Sequence, residues 1–382
     1  MVQQLHLLRP MSQKKVLITG GAGFIGSHVT QELLSRGYEV RILDNLAAQV
    51  HGPERRRPDY LSKDAELIVA DIRNASAVRR ALESVEIVVH MVAAVGVGQS
   101  MYEIADYTSV NNLGTAVLLE ELTRKPVSRL VVASSMSIYG EGLYRRVNGT
   151  IFANAERTLE QLRAGDWEPR DENGNPLHPI ATPETKHPCL SSIYALSKWD
   201  QERMCLMIGR IYKIPTVALR FFNVYGPHQA LSNPYTGVLA IFSSRLLSGK
   251  HPLINEDGKQ CRDFVNVGDV ARACRLAVET DATGEVFNVA SGQRVSILEV
   301  AQRIAKILGK ERLQPQITGR YRAGDIRHCF ADISRSKQKL GFKAEVTFEN
   351  GLTRFAEWLE SQVICDRVDD SVHELEARGL MV

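Results

Sequence analysis

The 382-residue chain lacks the features that mark several specialised classes. No apolar run approaches the roughly 18 residues of a membrane helix. The opening MVQQLHLLRP is too short and too polar for a secretory signal, and Met11 is a candidate for the true start. Neither sign of charge dominates: 47 Lys and Arg stand against 44 Asp and Glu, a formal net charge of +3 with no footprint for nucleic acid or an anionic membrane. Cysteine is sparse. Cys189, Cys205, Cys261, Cys274, Cys329 and Cys365 form no C-x-x-C pair and no cluster at metal spacing, so no metal is expected and the thiols read as reduced, in the cytoplasm.

What is present is the composition of a globular protein, 44% hydrophobic and 24% charged, long enough for two or three domains without a metal or disulfide staple. Short β-branched runs recur at Val16 to Thr19, Glu39 to Leu43, Leu67 to Ala70, Ile87 to Val92, Leu130 to Ser134 and Thr216 to Phe221, each followed by a segment of helical period. Strands alternating with helices predict an α/β fold, a Rossmann-type doubly wound parallel sheet whose ligand sits at the carboxyl ends of the strands.

Residues 11–225 with 264–290 are expected to form this dinucleotide-binding domain, and 226–263 with 291–360 a smaller C-terminal α/β lobe for substrate. That lobe carries predicted helices near Val238 to Ser248, Ser296 to Leu308 and Phe348 to Ser361. An insert at 141–190, rich in Pro, Asn, Asp and Gly, interrupts the alternation with one short helical stretch near Ala155 to Leu162, and reads as a surface excursion, functional or mobile. Residues 361–382 form a tail of helical period, expected to be a peripheral helix.

TGGAGFIG follows the first strand and opens a helix, placing Gly20, Gly23 and Gly26 at three-residue spacing. Gly20 permits a tight turn, Gly23 lets the backbone approach a pyrophosphate at the helix N-terminus, and Gly26 lets helix and sheet pack closely. Asp44 closes the second strand, where a carboxylate binds an adenosine ribose and repels a ribose phosphate, which favours NAD over NADP. Against this stands the run Arg55, Arg56, Arg57, either a solvated loop or a grip for an anionic group.

Tyr194 and Lys198 in SSIYALSKWD share a helix face. Alone the pair would be an ordinary surface pair. Beside a dinucleotide loop it suggests a tyrosine base whose pKa is lowered from about 10 by the lysine and the nicotinamide cation. Ser135 ends the fifth strand, where its hydroxyl either meets a substrate or satisfies local backbone.

From about Lys14 to Glu360 the motifs TGGAGFIG, LDNL, ADI, VNNLGT, SSMSIYG, YALSK, LRFFNVYGP, RDFVNVGDVA and RAGDIRHCFAD, in this order, resemble the extended short-chain dehydrogenase/reductases. Within them the resemblance is to nucleotide-sugar 4-epimerases. It implies that Tyr194 is the base, Lys198 binds the nicotinamide ribose, and Ser135 holds the reacting hydroxyl. NAD would be held by Gly20, Gly23, Phe24, Ile25, Gly26, Asp44, Asn45, Asp71, Ile72, Ala93, Ala94 and Asn111, with Tyr194 and Lys198. A nucleoside-diphosphate sugar, linked to UDP or dTDP, would be held by Ser135, Ser137, Asn223, Arg262, Arg322 and Asp325.

Also implied is a hydride relay: hydride leaves the fourth carbon of the sugar for NAD, the 4-keto sugar turns, and hydride returns to its other face. Dimerisation through the helices following Asn111 and carrying Tyr194 is implied too. Family dehydratases carry an acid/base pair where this chain has Met136 and Ser137, which speaks against loss of water. A decarboxylase or net oxidoreductase of the same family, or a protein that binds NAD without turnover, remains the alternative. Cys329 stands where some members have a large Tyr, which would widen the sugar pocket.

Overall fold

Seven short strands, buried by β-branched and aliphatic residues, pair as one fully parallel sheet among the described residues of the computed structural model, which are 14–231, 237–322, 324–362, 366 and 368–381. Met11 and Cys365 lie outside them. Across the sheet the order is Glu285–Val289, Thr216–Phe221, Arg129–Ser135, Ile87–His90, Lys15–Thr19, Glu39–Asp44 and Glu66–Val69. Six match the sequence-based strands to within a few residues, while the edge strand Glu285–Val289 was not among them. The order reverses between Lys15–Thr19 and Ile87–His90, so their carboxyl ends open the crevice in which a dinucleotide binds.

Helices cover both faces. On one, Phe24–Ser35 and Val267–Glu279 pack over Val16, Ile18, Val131 and Leu219; on the other, Leu118, Leu122 and Cys205 close over Leu17, Val88 and Leu130. The helix Ile193–Ile211 buries Tyr194, Lys198, Gln201, Glu202, Cys205 and Gly209, an i, i+4, i+7, i+8 stripe aimed at the sheet. Ser192 caps it by accepting from the Ala195 N–H at 3.1 Å. Glu202 then locks it down, accepting from Arg220 at 2.7 and 2.9 Å and from Ser134 at 2.7 Å. A bidentate pair at this depth fixes the helix against the sheet, and losing either partner would leave a buried charge.

A second apolar cluster, with Leu239, Phe242, Phe264, Val300, Ile304, Leu352 and Phe355, packs the helices Val238–Leu247, Ile297–Ile307 and Phe348–Leu359. The insert differs from its expectation. Its helix is Leu159–Arg163, and Leu143–Arg145, Ile151–Phe152 and His178–Ile180 add an antiparallel sheet too short to show a period in sequence. It is also pinned down. Arg157 donates to Glu256 at 2.7 Å, and Arg327, fully buried, meets Glu256 at 2.9 Å, Asp257 at 2.6 Å and Glu168 at 3.1 Å.

The tail helix Val368–Ala377 lies on the surface as expected of a peripheral helix, docked by one face through Val368, Ser371 and Leu375.

Candidate active site

At the carboxyl end of the first strand the chain turns through Gly20, φ +73°, where a side chain would strike the Val92 backbone at 2.9 Å. A Cβ on Gly26 would lie 2.3 Å from the Gly20 carbonyl, so helix and loop touch through bare backbone. At Gly23 the nearest atom to a Cβ would be that same carbonyl, at 3.5 Å, which leaves the loop open to a diphosphate at the N-terminus of the helix carrying Phe24 and Ile25. Such a cradle fits a dinucleotide. The Tyr60 hydroxyl donates to the Ala22 carbonyl at 3.0 Å and holds the following loop over it.

Asp44 accepts from the Ala22 and Leu46 N–H groups at 3.1 and 2.9 Å, so the carboxylate is fixed at the strand end beside the glycine turn. Asp71 is gripped by Arg73 at 2.7 Å and approached by the Asn45 amide at 3.4 Å; the Arg73 hydrogen bonds outweigh burial and bring its pKa to about 2. Ile72 packs on Gly114. The arginine run does not gather at Asp44: Arg57 donates to the Ser62 and Ala65 carbonyls and Arg56 pairs with Glu54 at 3.0 Å.

Asn111 joins the turn after the fourth strand to the helix that carries Tyr194. It lies in a π-helical turn, Thr108–Leu113, of the kind that recurs at functional sites, accepts from the Ala94 N–H at 2.7 Å, and donates to the Ala94 carbonyl and, at 2.9 Å, to Ser197 on the catalytic helix. The Ala94 backbone is thereby tied to that helix through the Asn111 side chain.

Tyr194 and Lys198 are both buried, and the Ser135 side chain faces the Tyr194 phenol closely enough to offset part of the effect of burial on it. Ser135 also accepts from the Ser137 N–H at 3.1 Å and lies 3.1 Å from the Ser137 hydroxyl, so it caps local backbone and meets the phenol at once. The expected lowering of the tyrosine pKa is not supplied by the protein's own groups. Burial raises it, Ser135 offsets only part of that, and Lys198 donates instead to the Gln201 amide oxygen at 2.6 Å. Burial brings Lys198 down to about 8, with Cys205 and Glu202 opposing.

Behind the pair lies a network the sequence reading missed. His90 bonds Thr19 at 2.8 Å and Thr115 at 2.9 Å, and Gln201 donates to Thr115 at 2.8 Å. Burial first, then Lys198, lowers His90 to about 3, so it is neutral at any ordinary pH. The signal for it was Gln201, three residues beyond Lys198 on the same helix face. Ser100 was missed as well; its hydroxyl accepts from the Tyr194 N–H at 3.0 Å.

On the opposite wall, Asp325 lies 3.5 Å from Arg262 and 3.3 Å from Arg322. Burial pushes Asp325 up, but Arg322 and Arg262 outweigh it and leave its carboxyl below the usual range. Arg262 is half committed, donating to the carbonyls of Cys261, Ile326 and Arg327. Arg322 Nε and Asn223 Oδ1 are buried with no hydrogen-bond partner, which suits groups that meet a polar ligand. This loop reaches the catalytic helix where Ser191 donates to the Gly324 carbonyl at 3.3 Å. Met136 is buried with Tyr139, Phe222 and Ile326, and Cys329 is 1% exposed beneath Gly142 and Thr182 of the insert.

Comparison with known proteins agrees with this geometry. The profile of the NAD dependent epimerase/dehydratase family matches residues 16–290. A dTDP-L-rhamnose 4-epimerase of Burkholderia thailandensis is 37% identical over 92% of this chain and 96% of its own. Among solved structures, UDP-glucose 4-epimerase of Thermotoga maritima with UDP-glucose is similar at TM-score 0.74 and 30% identity, over 91% of this chain and 98% of that one. UDP-glucuronic acid 4-epimerase of Bacillus cereus, in complex with UDP-glucuronic acid and NAD, is similar at TM-score 0.73 and 26% identity, over 91% and 99%.

Proposed function

This chain belongs to the NAD dependent epimerase/dehydratase family, and from that premise we propose that it inverts the fourth carbon of a nucleoside-diphosphate hexose through a 4-keto intermediate, with NAD as cofactor. The observation that carries the reading is the burial of Tyr194 and Lys198 on one helix beside Ser135 at the carboxyl end of the sheet, where Asn111 ties the Ala94 turn to that helix and Ser191 ties it to the Arg322–Asp325 loop. NAD supplies a hydride acceptor that is regenerated when the keto sugar is reduced on its other face.

The protein's own part is to place and move a proton. Tyr194 takes the proton of the 4-hydroxyl and later returns it, while Ser135 orients that hydroxyl. Lys198, kept near its titration point by burial, lowers the cost of the phenolate once a cation lies beside it. Gly20, Gly23, Phe24, Ile25, Gly26, Asp44, Asn45, Asp71, Ile72, Ala93, Ala94 and Asn111 are assigned to NAD. Ser137, Asn223, Arg262, Arg322 and Asp325 are assigned to the nucleotide sugar, since a guanidinium presents two donors to a diphosphate. Met136, buried among apolar side chains, and Ser137 cannot transfer the protons that loss of water needs.

The nucleotide is uridine or thymidine diphosphate, and the 37% identical relative makes dTDP-L-rhamnose the first substrate to try. Leu113, Leu196, Met207 and Ile211 stand exposed on the helices that follow Asn111 and carry Tyr194, which supports a homodimer through that face. Among the described residues five cysteines are free thiols, which supports the cytoplasm.

The test is proton NMR in heavy water, with no NAD added, against dTDP-L-rhamnose, UDP-glucose, UDP-galactose and UDP-N-acetylglucosamine. A 4-epimer without deuterium on the sugar carbons is expected, and Tyr194→Phe should lose about 10²- to 10⁴-fold in turnover while retaining NAD. Release of water or carbon dioxide, stoichiometric consumption of NAD, or full activity in Tyr194→Phe would overturn the reading.

A further inference from the structure

The C-terminal helix Val368–Ala377 meets the nucleotide-sugar wall and the cofactor domain at one point. A Cβ built on Gly98 would lie 3.3 Å from Leu375 Cδ2 and 3.7 Å from Arg322 Cδ, so the helix, the arginine and the short turn Val97–Ser100 converge there. That turn is itself part of the catalytic end of the molecule, since Ser100 accepts from the Tyr194 N–H. The Arg322 backbone pairs in antiparallel fashion with Met381, just beyond the helix.

The two sides hold the helix by different means. Toward the substrate lobe the contacts are ionic: Asp369 accepts from Arg245 at 2.6 Å and Lys250 at 2.8 Å, Asp366 lies 3.1 Å from Lys250, and Glu376 pairs with Arg320. Toward the cofactor domain they are a Leu375–Gly98 contact and the Arg378 guanidinium 4.1 Å over the Tyr102 ring. A cation over an aromatic face, unlike the carboxylate clamps, is weak enough to make and break.

We propose that this helix is a strap across the cleft, carried by the substrate lobe and latched on Gly98 and Tyr102, and that it positions Arg322 for the diphosphate. Leu375 and Arg378 are positioning residues: neither is assigned to the sugar or to NAD. The strap rests on the nucleotide-sugar reading above. Its chemical use follows from that reaction. A keto sugar that escapes after the first hydride transfer leaves reduced cofactor and a protonated tyrosine behind, and that enzyme cannot finish the cycle, so a grip that holds the diphosphate through the keto stage has a direct effect on yield.

The experiment is titration calorimetry of the full chain, of a chain lacking residues 368–382, and of Arg378→Ala, with UDP and with dTDP as probes, and with bound NAD and Tm measured on each. Whichever nucleotide the full chain binds should bind the shortened chain about tenfold or more weakly, as expected for a displaced bidentate arginine. Arg378→Ala, which leaves the ionic clamps intact, should weaken it about two- to fivefold. KM for the sugar should rise in parallel while the initial kcat at saturation and the total NAD content hold, and activity should then decay faster than in the full chain as reduced cofactor accumulates. Unchanged affinity in both variants overturns the strap and leaves the epimerase reading standing, as does a loss of affinity that merely follows loss of NAD or of Tm. Failure of both nucleotides to bind the full chain overturns the nucleotide-sugar reading and the strap with it.

Discussion

The two walls of the cleft are built from opposite materials. Directly behind Tyr194 and Lys198 lies a cluster of uncharged groups, His90, Thr19, Thr115 and Gln201, which trade hydrogen bonds with His90 held uncharged, while the ion pair of Glu202 on that helix with Arg220 is closed on itself. Across from them, Arg157, Arg327, Arg262 and Arg322 interlock with Glu168, Glu256, Asp257 and Asp325. Under the proposed reaction, a wall that lets one proton move would gain from neighbours that do not titrate with it, whereas a wall that faces a diphosphate would need cations held apart by their own carboxylates.

The largest effect should come from breaking the ionic wall. Arg327→Ala leaves Glu256 and Asp257 short of a cation and should destabilise the protein by about 3–5 kcal/mol, read by urea unfolding. NAD content should survive in the protein that remains folded, because the glycine loop lies in the other cluster. Loss of NAD at the same urea concentration would show that the two walls are one cooperative unit.

A smaller effect should separate the walls by pH. Lys198 sits at about 8 against an ordinary 10.5, so kcat/KM should fall on the alkaline side with an apparent pKa near 8. In Gln201→Leu the ammonium loses its acceptor, and that limb should move to lower pH by about one unit, a cost of about 1.4 kcal/mol to the charged form. The sign for stability is the reverse. Between pH 8 and 10.5 the unfolded chain holds more protons at this lysine than the folded one, so its contribution to stability rises with pH. An alkaline limb that ignores Gln201 would assign it to another group.

The smallest effect belongs to acid. His328 and Arg327 outweigh burial and bring Glu168 to about 2 from 4.5. Its contribution is therefore complete above about pH 4.5 and is lost as pH falls toward 2, so Glu168→Gln should flatten the acid side of the stability curve and leave the alkaline limb of kcat/KM unmoved. Equal acid sensitivity in Glu168→Gln would remove this carboxylate from the account.

The glycine turn and the Tyr194–Lys198 pair were legible in the residues, because each is local, whereas the network of His90, Thr19, Thr115 and Gln201 behind them was not. A strand, a glycine turn and a helix lie within twenty residues of one another, and Tyr194 and Lys198 are one turn apart. Nor was the ionic wall, since Arg327 and Glu168 lie 159 positions apart and neither carries a local pattern that tells a buried guanidinium from a solvated one. The same holds for the strands of the insert, two or three residues each, and for the strap, whose helical period was plain but whose docking depends on a glycine far upstream. Arg262 and Arg322 came only from family resemblance. Gln201 is the instructive omission: its spacing from Lys198 was visible, yet nothing in spacing says which of two neighbours an ammonium will choose.

The edge position of the strand Glu285–Val289 also bears on how the chain is made. Six adjacent strands are complete once residue 221 has been synthesised, but Val265, Val270, Ala273, Ala277, Phe287 and Val289, which close one face of that sheet, come later. At translation rates of about 5–20 residues per second the apolar face carrying Val131 and Leu219 waits several seconds for the rest of its cover. A nascent chain paused between residues 221 and 265 would present a parallel sheet with one side covered by the helix Phe24–Ser35 alone, half of the cover that Val267–Glu279 later completes.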